Sequence, residues 1–165
     1  MNPRGLQDKQ YMLIMELFDI PKDIQNVLVH TDVLRGINFP MKNRTSFLDS
    51  HHEFLTDFTQ EKRLFFPGFN YSCLKTGKYS VKNDKVQVGI LNERIREKNS
   101  YYRDLMPVFN FLSNSKEDYT IVEDNDIIDP FGLNSTFNFL FNNNSYLVSF
   151  PLTRRFNCLD RRTRS

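Results

Sequence analysis

A mixed α/β layered sheet with flanking helices is the fold class predicted by the order of apolar patterns in this chain. Short β-branched or aromatic runs recur at 26–33, 63–71, 106–113 and 145–150, amphipathic stretches lie between them, and Pro, Gly and Asn punctuate the joins. Strands interleaved with helices belong to layered α/β architectures. The 165 residues, 39% apolar and 14% aromatic, suffice for one domain, and a domain of that length buries roughly 70% of the surface its unfolded chain exposes. No internal repeat and no linker interrupts it.

Taken in order, residues 8–18, "DKQYMLIMELF", have apolar positions at helical spacing and predict an amphipathic first helix. "NVLVHTDV" at 26–33 predicts a buried strand that leaves through "RGINFP". In 45–60, Phe47, Leu48, Phe54, Leu55 and Phe58 are spaced for one or two short helices. The "HHE" at 51–53 in that stretch is expected on a solvated helix face, since metal-binding helices carry His at i and i+4. "RLFFPGFNY" predicts a second strand ended or bent by Pro67-Gly68.

The polar stretch 71–87 predicts a loop or irregular hairpin, and a long loop in a compact domain is commonly a binding element. A helix beginning at Val88 would turn Ile90, Leu91 and Ile95 to one side and Glu93, Arg94, Glu97 and Lys98 elsewhere. "MPVFNFLS" predicts a strand, and 117–130 an acidic helix or loop. In 134–144 a short helix capped by Asn134 or Ser135 would place Phe137, Phe139, Leu140 and Phe141 in the core, before a strand at "SYLVSF".

The net charge of +2 is uneven, because "RRFNCLDRRTRS" at 154–165 holds five Arg and one Asp. Elsewhere 17 of the 22 basic residues face 19 of the 20 acidic ones, so the body lacks the spread basic footprint of a nucleic-acid binder. Cys73 and Cys158 have neither disulfide-framework nor zinc spacing, and Cys73, with no base in sequence reach, is expected to be an ordinary loop or core thiol. The polar start "MNPRGLQDKQ" does not have the pattern of a secretory leader, and "YMLIMELF" is too short to span a membrane. A reducing, cytoplasmic setting without membrane or nucleic-acid partners is the expectation.

Four patches in register resemble one family. They are "VLVHTDVLRGINF", the pair "FFPGFNY" and "SVKNDKVQVGILNERIR", "YYRDLMPVFNF", and "DPFGLNSTFNFLFNNNSYLVSF". Their order and spacing, over roughly residues 24 to 150, resemble the aminoglycoside 3-N-acetyltransferase family. Met106 stands where the family has His, and Asn110 where it has Ser. The resemblance implies acetyl transfer from acetyl-CoA to an amino group of an aminoglycoside or other aminosugar, with no metal. It implies donor contacts at His30, Thr31 and Asp32 and at Arg103, Pro107 and Asn110, and acceptor contacts at Asn70, Tyr71 and Asp129, the helix after Gly89 bracing the cleft. The "GKYSVKN" loop is closer to members acting on surface-polysaccharide sugars than to drug-resistance enzymes.

Each assignment has a plainer alternative. His30 reads equally as a hydrogen-bonded structural residue, and Arg103 as a surface partner of Asp104 or Glu97. The polar residues 129–135 are explained more simply by helix capping. The family's base is the His of a Thr-x-x-His-x-x-Glu segment after the strand equivalent to "YLVSF", where this chain reads "PLTRRFNCLDRRTRS", so the catalytic residues stay unassigned. The expectation is a partial N-acetyltransferase domain over 1–153 with an Arg-rich tail of out-of-frame origin over 154–165, of reduced or no activity. The alternative is a noncatalytic module that binds CoA or a sugar, or a degenerate fragment.

Overall fold

The computed structural model describes residues 20–33, 43–59, 62–98, 100–116 and 129–150. The expected first helix at 8–18, nearly all of the acidic stretch 117–130 and the tail lie outside the described residues. Five strands form one mixed sheet: β1 (Asn26–Thr31), β2 (Arg63–Pro67), β3 (Tyr102–Arg103), β4 (Phe111–Ser113) and β5 (Ser145–Phe150), in the order β3-β4-β2-β1-β5. β1 runs parallel to both β2 and β5, while β4 runs antiparallel to β2 and to β3.

Alternation along the strands sorts the core into two layers. Val27 and Val29 of β1, Leu64 and Phe66 of β2, Leu112 of β4 and Val148 of β5 face one side. There they pack under α1 (Arg44–Thr59), through Leu48, Phe54, Leu55 and Phe58, and under α3 (Ile90–Arg96), through Leu91 and Ile95. The intervening residues Leu28, Phe65 and Phe111 face the other side, which α4 (Thr136–Asn142) covers with Phe137, Phe139 and Leu140. The predicted mixed sheet flanked by helices is therefore the architecture of the described chain.

Several boundaries differ from expectation for physical reasons. Residues 44–59 form one continuous 16-residue helix, because Leu48, His51, Leu55 and Phe58 follow each other at steps of three and four and make a single buried stripe. His51 is thus a buried core residue and not part of a solvated face: it is 1% exposed, sits edge-on to the Phe47 ring, and its Nδ1 bonds the Phe47 carbonyl at 2.9 Å. The helix expected from Val88 starts at Ile90, with Gly89 before it at φ 84°, a backbone region open to glycine. "MPVFNFLS" yields only the three residues of β4, since 106–110 turn back from the short β3.

The stretch 71–87 is a loop containing the helical turn α2 (Cys73–Thr76), with no strand among its described residues. Cys73 is buried at the start of that turn, a core thiol as expected. Ser135 is the cap of α4, its Oγ accepting from the Asn138 amide at 3.1 Å. Phe141 departs from the expected core set and is exposed.

Candidate functional site

Parallel pairing places the carboxyl ends of β1, β2 and β5 on one edge of the sheet. The antiparallel pairing of Pro67 with Phe111 and of Arg103 with Leu112 brings the β3–β4 connection, residues 104–110, to the same edge. In open α/β sheets this carboxyl edge is where ligands bind. It gathers the exits of β1 and β2 and the β3–β4 turn, and with them His30, Thr31, Asp32, Asn70, Tyr71, Arg103, Pro107 and Asn110.

They fall into two groups. β1 and β3 are three strand spacings apart, about 14 Å. On the β1 side His30 and Asp32 are exposed, and the Thr31 Oγ1 is enclosed with no hydrogen-bond partner among the described residues. On the β3 side the polar groups turn inward. The Arg103 Nε donates to Asn110 Oδ1 at 2.7 Å, one terminal nitrogen donates to the Gly68 carbonyl at 2.6 Å, and the other donates to the carbonyls of Asp84 and Val81. The guanidinium lies over the Tyr79 ring at 5.2 Å, and burial lowers its pKa.

In place of the alternative surface pairing of Arg103 with Asp104 or Glu97, the guanidinium forms a clasp. Asn110 is fully buried, its carbonyl accepting from the Gly68 amide at 2.8 Å. A Cβ on Gly68 would lie 2.5 Å from Asn110 Oδ1, so only glycine fits between the β2 exit and that amide. Pro107 accepts from the Cys73 thiol at 3.4 Å and so anchors α2 to the turn.

The β2 exit is equally tied. Asn70 is 2% exposed: its Nδ2 donates to the Lys85 carbonyl at 2.7 Å and its Oδ1 accepts from the Ser72 amide at 2.8 Å. The side chain of Asn70 thus shapes the loop from within, while Tyr71 projects outward against Phe109. Behind them α3 braces the loop. Asn92 donates to the Pro67 carbonyl at 2.9 Å, and Glu93 accepts from the Val86 amide at 2.7 Å while pairing with Arg96. Burial works to raise the Glu93 pKa, but the Arg96 and Val86 bonds hold it below the usual range.

Sequence reasoning missed Asp104. It is 8% exposed, and its carboxylate accepts from the amides of Met106 and Phe111, both at 3.1 Å, and from Thr136 Oγ1 at 2.7 Å, joining the turn to α4. Burial lifts its pKa to about 6 against those three donors. No spacing rule signals it, since the partners lie two, seven and 32 residues away.

Asp129 is exposed, its Oδ1 accepting from the Phe131 amide at 2.9 Å. Away from the edge, Lys98 bridges Asp49 and His52, and His52 Nε2 bonds Tyr101 Oη at 2.9 Å. Burial, then the charge of Lys98, lowers the His52 pKa to about 4. Lys98 donates to Nδ1, so the ring is neutral with its proton on Nε2. No group of three or more metal-ligating side chains gathers among the described residues, and none of their helices is long and apolar enough to cross a membrane.

These features define a mixed α/β fold whose carboxyl edge gathers the β1 and β2 exits and the β3–β4 turn. Among solved structures, it is similar to the YokD protein from Bacillus subtilis, with 15% identity, TM-score 0.60, and coverage of 85% of this chain and 61% of that one. It is also similar to AAC-VIa with bound sisomicin in a neutron/X-ray structure, at 12% identity and TM-score 0.60 over 86% of this chain and 58% of that one. A further AAC-VIa structure bound to sisomicin gives 11% identity and TM-score 0.58, covering 85% of this chain and 56% of that one. At these identities the likeness is one of fold, and this chain spans about three-fifths of the length of those structures. No protein-family model and no curated protein matches the sequence.

Proposed function

We propose that this chain forms the donor and acceptor groove of an acetyl-CoA-dependent N-acetyltransferase that acts on an amino group of an aminoglycoside or other aminosugar. The observation that supports this best is the convergence of the β1 exit, the β2 exit and the β3–β4 turn on one sheet edge, in a fold shared with structures that hold sisomicin. The sequence resemblance places its patches on those same exits.

In this reading His30, Thr31 and Asp32 meet the donor, the exposed side chains of His30 and Asp32 flanking the Thr31 backbone at the β1 exit. Arg103, Pro107 and Asn110 contribute by fixing the backbone of the β2 exit, since their own polar atoms are spent on the protein. Asn70 holds the acceptor loop in shape, and Tyr71 and Asp129 face the acceptor. Acetyl transfer to an amine needs an unprotonated nitrogen, a base within reach and donors for the developing oxyanion. No residue of this chain is assigned as that base.

The inward commitment of Arg103, Asn110 and Asn70 favours a second reading, a module that binds CoA or a sugar without turnover. Calorimetric titration of the purified chain with acetyl-CoA tests the donor site. Saturable binding that weakens in His30→Ala supports the proposal, and no binding by a chain with a cooperative thermal melt overturns it. Mass spectrometry of an aminosugar incubated with acetyl-CoA then separates the readings, an added acetyl group marking the enzyme and its absence the binding module.

A further inference from the structure

Beside the β2 exit an aromatic ladder climbs out of the core. Phe111, fully buried, meets Phe137 at 4.9 Å between centroids, Phe137 meets Phe131 at 5.0 Å, and Phe131 meets Phe109 at 5.9 Å. Phe109 in turn touches Tyr71 at 6.3 Å. The inner rungs are packed, but Phe131 is 62% and Tyr71 40% exposed. Exposed aromatics held in a row by a buried base form a platform that is already ordered, so a ligand loses little side-chain freedom on settling there.

One end of the platform carries a negative charge. The Asp129 carboxylate is tied by Oδ1 to the Phe131 amide at 2.9 Å, and the Asp129 carbonyl accepts from the Gly132 amide at 3.1 Å. A Cβ at Gly132 would lie 3.1 Å from the Asp129 Cβ and 3.3 Å from Oδ2, so glycine lets this turn close tightly on the acid. The charge and the exposed ring therefore stand in a fixed relation. A saturated ring turns C–H bonds of partial positive character to the aromatic faces, and an ammonium is drawn both to those faces and to a carboxylate.

We infer that the exposed face of Phe131 is where the C–H face of an amino-sugar ring stacks, with Phe109, tilted 41° to it, and Tyr71, 84° from Phe109, walling one side, and with Asp129 pairing its ammonium group. This rests on the aminosugar reading above and adds two specificity-determining residues to it, Phe109 and Phe131. The platform selects a cyclic, cationic ligand over a neutral sugar or an acyclic amine.

The test is titration of the full chain by saturation-transfer NMR with glucosamine, and with glucose and ethanolamine as the neutral and acyclic probes. Glucosamine should bind at least about tenfold more tightly than either probe, and Phe131→Ala and Asp129→Asn should each weaken it about tenfold. Phe131→Tyr should restore binding where Phe131→Leu does not, which separates a stacked ring from mere apolar area. If wild type binds glucosamine and Phe131→Ala binds it equally, the platform is overturned while the acceptor reading stands. If wild type takes acetyl-CoA but no glucosamine, both fall. A sedimenting dimer that Phe131→Ala splits, with unchanged glucosamine affinity, would assign the ladder to self-association and overturn the proposal.

Discussion

Replacing Arg103 by Ala removes the clasp that joins β3, the β2 exit and the 71–87 loop, and its cost follows from the acceptors left behind. Two of them, the Gly68 carbonyl and Asn110 Oδ1, belong to buried residues, and each buried acceptor deprived of its donor costs about 1–3 kcal/mol. The carbonyls of Val81 and Asp84 lie in a half-buried loop that water can reach, so they add little. Loss of the contact over Tyr79 adds about 0.5–1 kcal/mol. Arg103→Ala should therefore destabilise the chain by about 2.5–7 kcal/mol. Arg103→Lys, with one compact ammonium in place of the planar fork, should restore only part of that. Urea unfolding gives the stability, and hydrogen exchange at the Asp84 and Gln87 amides, bonded to Ser80 and Phe69, gives the loop order. A loss below about 1 kcal/mol with unchanged exchange would refute the clasp. If acetyl-CoA affinity also collapsed in that stable variant, the guanidinium would be a direct donor contact.

Two further predictions concern pH and packing. Asp104, raised to about 6, binds its proton in the folded state before the unfolded chain does, so its share of stability is complete below about pH 4 and is lost as pH rises to about 6. His52, lowered to about 4, does the reverse: the unfolded chain binds the proton first, and stability is lost as pH falls from about 6.5 to 4. The two slopes oppose each other in wild type, each bounded at about 1.4 kcal/mol per pH unit and the half-buried His52 well below that bound. Asp104→Asn should leave stability falling on acidification and His52→Gln should leave it rising; identical profiles in urea melts from pH 4 to 7 would contradict the assignment. Gly68→Ala should cost about 1–3 kcal/mol through the Asn110 overlap. Its effect should be non-additive with Arg103→Ala, because both act on the same amide; simple additivity in thermal melts would exclude a shared contact.

How much was legible before the structure depended on whether a residue's partner was close in sequence. β1, β2 and β5 were readable because a run of β-branched or aromatic residues is written in consecutive positions, and the Ser135 cap because its partner is three residues on. The burial of His51 is written in its spacing, three residues after Leu48 and four before Leu55, while its polar residue type points the other way. The two-residue β3 has no local pattern of its own and exists only because β4 pairs with it.

The sequence by itself determined the mixed α/β class, the main helices and strands, and the strand exits that meet at the carboxyl edge. Local propensity and hydrophobic period act within one turn or a few residues, and those features need nothing more. Only the tertiary structure decided what each polar side chain does. Arg103 meets Gly68 across 35 residues and Asp84 across 19, and Asp104 meets Thr136 across 32. Whether a guanidinium or carboxylate is offered to a ligand or spent on the fold depends on which carbonyls and amides the strand order brings beside it, because a buried polar group must find its partner within hydrogen-bond reach wherever the chain supplies one.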